Sequence, residues 1–173
     1  LHDMVMVGDR GMITSARITA LKDLGGIGWL TALRAPQIAA LAADDGPLQM
    51  SLFDEQNFAE ITHPDYPGER LVACRNPLLA AERARKRTEL LAATEAALAP
   101  VLAAVAAGRL AGAGPIGVKV GKVLGKFKMA KHFRLDITNT TLAISRDTDR
   151  IDGEAALDGL YVLRTTATPG ELT

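Results

Sequence analysis

Cysteine is almost missing. The 173-residue chain holds a single one, Cys74, which removes any intramolecular disulfide framework and any four-cysteine zinc site and fits a reducing compartment. Histidine is sparse too: His2, His63 and His132 fall on separate segments without ligand spacing, so no zinc site is assigned. Net charge is absent, with 20 basic and 20 acidic residues, and total charge therefore says nothing about partners. A long, strongly apolar run is also lacking. The stretch 96–107 is built mainly from alanine and broken by Pro100, short of the ~20 strongly apolar residues a bilayer span needs. No membrane helix is expected on that ground. A secretory leader, basic and then apolar, does not open the chain, which starts Leu-His-Asp and soon reaches the charged Gly8-Asp9-Arg10. The resulting expectation is a cytoplasmic location. Because the first residue is not methionine, the chain also reads as a piece of something longer.

What is present is enough to fold. A hydrophobic content of 48% with 23% charged residues excludes a disordered tail, a collagen-like fibre and a mucin-like stalk. The charges are balanced in sum but segregated in place. Over 36–68 every charge is acidic: Asp44, Asp45, Asp54, Glu55, Glu60 and Asp65. Over 96–135 every charge is basic: Arg109, Lys119, Lys122, Lys126, Lys128, Lys131 and Arg134. A basic block can track a phosphate backbone, since each neutralised phosphate releases counterions; a solvated face is the structural alternative.

Residues 4–8 (Met-Val-Met-Val-Gly) read as a strand buried on both faces, ending at Asp9. Thr14 or Ser15 caps a following helix, with Ala16, Ile18, Leu21 and Leu24 as its apolar side and Gly25-Gly26 as its stop. Residues 29–33 form a second strand, so 4–33 is one β-α-β unit of a parallel sheet. Beyond Pro36 the pattern predicts a short helix over 37–43 and a turn at 45–47. Strands follow over 48–53, 58–61 and 69–74, with a rigid turn at 64–68. Asn76-Pro77 starts a long helix running to about Leu98, which Pro100 should kink or split at a cost of ~3 kcal/mol. A helical hairpin follows, with 108–117 as its link and 118–129 as its second arm. A β-hairpin about Asn139 and a last strand over 160–165 complete the reading.

Asp9 is the foremost chemical candidate. Loops at the carboxyl ends of parallel strands are where α/β proteins place ligands, and an aspartate there can hold Mg²⁺; capping the next turn or pairing with Arg10 is its structural alternative. In the run 82–87, Glu82 with Lys86 and Arg85 with Glu89 make helical ladders, which leaves Arg83 and Arg87 free for phosphate. Lys119, Lys122 and Lys126, spaced by three and four, place their ammonium groups on one helical face and form the better DNA-tracking stripe. No phosphate loop, nucleophile elbow or kinase signature is present.

Several stretches together resemble the DDE transposases of bacterial insertion sequences, in the group whose type element is insertion sequence four. The strings are Val7-Gly8-Asp9-Arg10-Gly11-Met12-Ile13-Thr14, Tyr66-Pro67-Gly68-Glu69-Arg70-Leu71, and Arg75-Asn76-Pro77 with Arg83-Ala84-Arg85-Lys86-Arg87. Thr94-Glu95, Lys131-His132-Phe133 and Glu154-Ala155-Ala156-Leu157-Asp158-Gly159 leading to Tyr161 follow in family order.

The resemblance implies a ribonuclease H-like catalytic domain. In it, two aspartates and a glutamate hold two divalent metals, Mg²⁺ or Mn²⁺, that activate the attacking oxygen and stabilise the leaving one. It also implies DNA as partner, both transposon ends and target, a homo-oligomer on that DNA and a bacterial, nucleoid-associated setting. The second aspartate of the family falls on Asp9, which becomes the expected catalytic and metal-binding residue. Arg83, Arg87, Lys119, Lys122, Lys126, Lys128 and Lys131 become the expected DNA contacts. The expected organisation is α/β with an α+β insertion: 1–35 as part of the ribonuclease H-like core, 36–160 as the insertion, and 161–173 as a strand returning toward the core.

The family's first aspartate belongs upstream of Leu1. Its glutamate belongs to a helix with Tyr and Arg at fixed spacing before it. Tyr161 and Arg164 have that mutual spacing, but Thr168 then stands at the glutamate position; Glu154 and Glu171 lie outside the motif. The glutamate is therefore expected beyond Thr173, and one carboxylate of three leaves the chain inactive by itself. The rival expectations are a non-catalytic nucleic-acid-binding module and a structural or protein-interaction domain.

Overall fold

The structure, a computed structural model, describes residues 4–43 and 46–168; His2, Asp44, Asp45 and Glu171 lie outside them. In chain order the elements are β1 (Met4–Val7), α1 (Ser15–Leu24), β2 (Ile27–Ala32), α2 (Ala35–Leu41), β3 (Phe58–Ile61), β4 (Arg70–Arg75), α3 (Pro77–Ala106), α4 (Ala113–Phe127), β5 (Phe133–Ile137), β6 (Leu142–Arg146), α5 (Thr148–Ala155) and β7 (Leu160–Thr165). The chain is mixed α/β and divides into two compact units. One comprises 1–78 with 159–173, the other 79–158.

The first unit is built on a five-stranded mixed sheet in the order β1-β2-β7-β4-β3. β1 and β2 are parallel, and the pairs β2–β7, β7–β4 and β4–β3 are antiparallel. The β-α-β unit forms because its local signals agree. Thr14 Oγ1 accepts a long 3.5 Å bond from Arg17 N–H at the start of α1, and Gly25 stops the helix at φ +65°, where a side chain would be strained. Ile18 and Leu21 of α1 pack on Ile13 and Trp29, whereas Ala16 and Leu24 of the expected apolar side are exposed. Register fixes one face of the sheet: Trp29 and Thr31 on β2, Val162 and Arg164 on β7, and Leu71 and Ala73 on β4 are all buried, in the period-2 alternation of strands.

Four local expectations change. β1 is not buried on both faces: it stands at the end of the sheet order among the described residues, with Met4, Met6 and Val7 exposed. The segment 48–53 is not a strand: it forms a 3₁₀ turn over Met50–Phe53, with Leu48 N–H tied to Leu41 O at 2.9 Å and Phe53 buried. α3 runs unbroken through Pro100, because that ring sits on an exposed position while Leu98 and Val105 are held in the core. α4 starts at Ala113 rather than at Val118. Asn139 Oδ1 accepts from Ala113 N–H at 3.1 Å, and Asn139 O accepts from Gly112 N–H at 2.7 Å, so a residue of the β5–β6 hairpin caps the helix.

The second unit buries Leu91, Leu98, Val105, Ile116, Val120, Leu124, Met129 and Phe133 in one cluster, with β5 and β6 pairing antiparallel beside it. By length and composition alone α3 meets the requirement for crossing a bilayer, contrary to the expectation from 96–107. Its Leu91, Leu98 and Val105 face this protein core instead. α4 ends on Lys128, the one non-glycine residue at positive φ (+56°) among the described residues. Met129 N–H then bonds Leu124 O at 3.1 Å and Lys128 N–H bonds Gly125 O at 3.3 Å, a Schellman closure that carries Met129 into the core.

Candidate functional site

Asp9 follows β1 directly, in a tight loop that ends at α1. An added Cβ on Gly8 would stand 2.9 Å from Ile13 Cγ1, so a glycine lets the chain close there. Asp9 is exposed, and its Oδ1 accepts from Gly11 N–H at 2.8 Å and Met12 N–H at 2.7 Å. Its main-chain carbonyl accepts from Met12 and Ile13 N–H, both at 3.0 Å. The carboxylate thus shapes the turn through one oxygen, as aspartate does in an Asx turn. Oδ2 has no partner among the described residues, and no salt bridge joins Asp9 to Arg10 there.

Among the described residues no group of three or more His, Cys, Asp or Glu is placed to hold a metal ion. Asp9 belongs to no such group among the described residues, so these residues do not by themselves fit a two-metal centre. Glu154 lies in the second unit and is committed to His132 Nε2 at 2.8 Å and to Lys131. Burial raises its pKa, and the lysine and histidine bring it below the ordinary carboxylate value. Tyr161 and Arg164 lie on a strand rather than a helix.

The basic residues separate into two groups. Lys119, Lys122 and Lys126 are exposed on the side of α4 away from its buried Ile116, Val120 and Leu124, and Lys128 is exposed at the helix end. Lys126 Nζ lies 5.3 Å from the Phe127 ring centroid, and Lys119, Lys122 and Lys128 make no ion pair among the described residues. Arg83 is exposed and unpaired among those residues as well. Arg87 is not free. Its guanidinium is bound in a two-point pair to Asp158, with both side chains largely buried, because α3 brings it against the turn after α5. Lys131 is paired with Glu154. The free basic set is therefore Arg83, Lys119, Lys122, Lys126 and Lys128.

Sequence reasoning missed a buried polar cluster in the sheet-bearing unit. Glu69 accepts from Arg164 Nε and Nη2, each at 2.6 Å, and from Trp29 Nε1 at 3.1 Å. Lys22 Nζ stands 3.7 Å from the same carboxylate, and the Arg164 guanidinium stacks 4.8 Å from the Tyr66 ring centroid. Burial would raise the Glu69 pKa, but Arg164 and Trp29 hydrogen bonds, with the charges of Arg164 and Lys22, hold it below the usual carboxylate range. A cleft of about 500 Å³ opens over this cluster, lined also by His63 and Asp65. The sequence offers only a faint signal for it: Glu69 falls in a string that resembles the transposases, and Arg164 is spaced from Tyr161 as in their motif. The pairing itself joins positions 95 apart. Burial pushes the Cys74 thiol up, which gives no sign of an activated nucleophile.

No family model matches the chain, and neither a curated protein nor a solved structure matches it.

Proposed function

We propose that the chain is part of a DDE-type transposase whose parent carries out DNA transposition by metal-dependent phosphoryl transfer in the bacterial cytoplasm. In this reading β1, α1 and β2 belong to a ribonuclease H-like core, Asp9 is its second aspartate, and the lysines of α4 face DNA. The observation that carries the reading is the position of Asp9. It is exposed directly after β1, a strand that pairs with β2 on one side and has no partner on its other edge among the described residues. That free edge suits a further strand bringing another carboxylate beside Asp9. No metal-dependent step is assigned to the residues described, since Asp9 alone does not hold two ions.

The test combines DNA binding and cleavage. The chain should bind duplex DNA with a salt-dependent affinity, and the triple change of Lys119, Lys122 and Lys126 to alanine should flatten the log K against log salt slope by about 0.9 for each phosphate no longer neutralised. It should not nick supercoiled DNA with Mg²⁺ or Mn²⁺. An unchanged slope would remove the DNA face, and metal-dependent nicking abolished by Asp9→Ala would remove the inactivity of the chain alone.

A second reading, a non-catalytic nucleic-acid-binding module, is favoured by the two backbone bonds on Asp9 Oδ1. In it Asp9 only shapes the turn. Asp9→Asn in the intact parent separates the two, because the amide keeps the turn acceptor and loses the metal-binding charge.

A further inference from the structure

Beside the Asp9 loop the sheet-bearing unit has a separate cleft of about 400 Å³, between the start of α1 and the junction of β2 with α2. Its charged lining is entirely cationic. Arg10, Arg34 and Arg164 contribute to its walls and no carboxylate does. Arg10 is exposed, and its guanidinium has no partner among the described residues. Arg34 spends one N–H on a long 3.4 Å bond to Arg10 O. Arg164 gives Nε and Nη2 to Glu69 and has Nη1 without a partner among those residues.

The amino end of α1 forms another part of the wall, through Thr14, Ser15 and Ala16. Thr14 Oγ1 takes the Arg17 N–H, there is no acidic residue in the first turn, and the Ser15 and Ala16 N–H groups have no acceptor among the described residues. A ten-residue helix presents the positive end of its dipole there, uncompensated.

An independent observation points to a ligand. Thr31 is only 3% exposed, lines this cleft, and its Oγ1 has no hydrogen-bond partner among the described residues. Its register partner is Arg164, and it shares the sheet face of Trp29, whose side chain packs on α1, so the Thr31 side chain stands on the α1 side of the sheet. A buried hydroxyl left unpaired is costly, and buried polar groups in folded proteins nearly always find a partner.

We propose that this cleft binds a phosphate-class oxyanion, a phosphomonoester or phosphodiester group, through Arg10, Arg34, the free Nη1 of Arg164 and the N–H groups of Ser15 and Ala16, with the Thr31 hydroxyl as its inner hydrogen-bond partner. Guanidinium and helix-end donors converge from both walls, which suits a multiply charged tetrahedral group with several acceptor oxygens better than a carboxylate with two. The site uses neither Asp9 nor the lysines of α4, and it stands whether or not the transposase reading does.

The test is calorimetric titration of the full chain with inorganic phosphate at low salt, then with a 5′-phosphorylated DNA oligonucleotide. Phosphate should bind, and Arg10→Gln and Arg34→Gln should each weaken it roughly tenfold or more, the scale of a missing charge-assisted bond. Thr31→Val should weaken it several-fold while raising the melting temperature of the unliganded chain, which a purely structural hydroxyl would not do. Arg109→Gln, in the other unit, controls for the loss of one positive charge. Oligonucleotide binding that competes with phosphate supports the site with a nucleic-acid backbone as source. Phosphate binding without oligonucleotide binding supports it with a free phosphate or small phosphomonoester as source. Absence of phosphate binding at ~10 mM, a weak-binding limit, overturns it. So does binding indifferent to Arg10 and Arg34; these are exposed arginines, so that comparison decides the matter even if Thr31→Val fails to fold.

Discussion

The carboxylate of Glu69 and the guanidinium of Arg164 meet in a two-point pair, both bonds at 2.6 Å, with both residues buried. It links the residue before β4 to the penultimate residue of β7, and the indole N–H of Trp29 on β2 donates to the same carboxylate. Three neighbouring strands are thereby tied by one charge. A buried pair of this kind adds little over an apolar substitute, but removing one partner strands the other.

Arg164→Met should therefore destabilise the sheet-bearing unit by about 3–5 kcal/mol. The fluorescence of Trp29, the chain's one tryptophan, reports that unit directly during urea unfolding. A loss under about 1 kcal/mol would mean that Glu69 finds solvent or Lys22 instead.

The same pair sets an acid limit. Because the folded pKa of Glu69 lies below its unfolded value of about 4.3, the unfolded chain takes up its proton first as pH falls. The stabilisation is complete above that unfolded value and is lost as pH drops through the folded one. Urea midpoints measured from neutral pH down to pH ~3 should fall more steeply for the native sequence than for Glu69→Gln, which cannot titrate there. Parallel curves would assign the acid sensitivity to other carboxylates.

At Asp9 the two backbone bonds predict a modest structural role separable from any chemistry. Asp9→Ala should cost about 1 kcal/mol, as loss of a capping acceptor does, and Asp9→Asn only a few tenths. Equal losses for both changes would show that the charge, rather than the acceptor, shapes the turn.

Lys128 holds a left-handed conformation at φ +56° that favours glycine. Lys128→Gly should raise stability by about 1 kcal/mol through relief of that backbone, readable as a higher melting temperature of the 79–158 unit. The same change removes one member of the free basic set, so DNA affinity should fall while stability rises.

Pro100 is the converse case, a proline inside an unbroken helix. Pro100→Ala restores a backbone donor and removes a ring clash, and should stabilise by up to ~3 kcal/mol. A neutral result would mean that packing around Leu98 and Val101 already compensates.

What is legible in the sequence is local. The β1-α1-β2 unit can be read from a capping Thr14, apolar Ile18 and Leu21, and a Gly25-Gly26 stop, because each signal lies within a few residues of its effect. The start of α3 at Asn76-Pro77 and the hairpin about Asn139 belong to the same class. What escapes is nonlocal. The start of α4 is set by Asn139, 26 positions on. Arg87 reads as free because its partner, Asp158, is 71 positions away. The Glu69–Arg164 pair and the unpartnered Thr31 hydroxyl arise only when β7 lies between β2 and β4, and no spacing encodes that order. The segment 48–53 misleads for a related reason: its apolar residues answer to burial of Leu48 and Phe53 and not to strand pairing.

The place of β7 also sets a timetable. Of the seven strands among the described residues it is the last to leave the ribosome and yet the central one of its sheet, with β1 and β2 on one side and β4 and β3 on the other. The two flanking pairs must wait, edges exposed, while the whole of 79–158 is synthesised. That intervening unit is contiguous and can finish folding first, so β1 and β2, made before it, are buried after it.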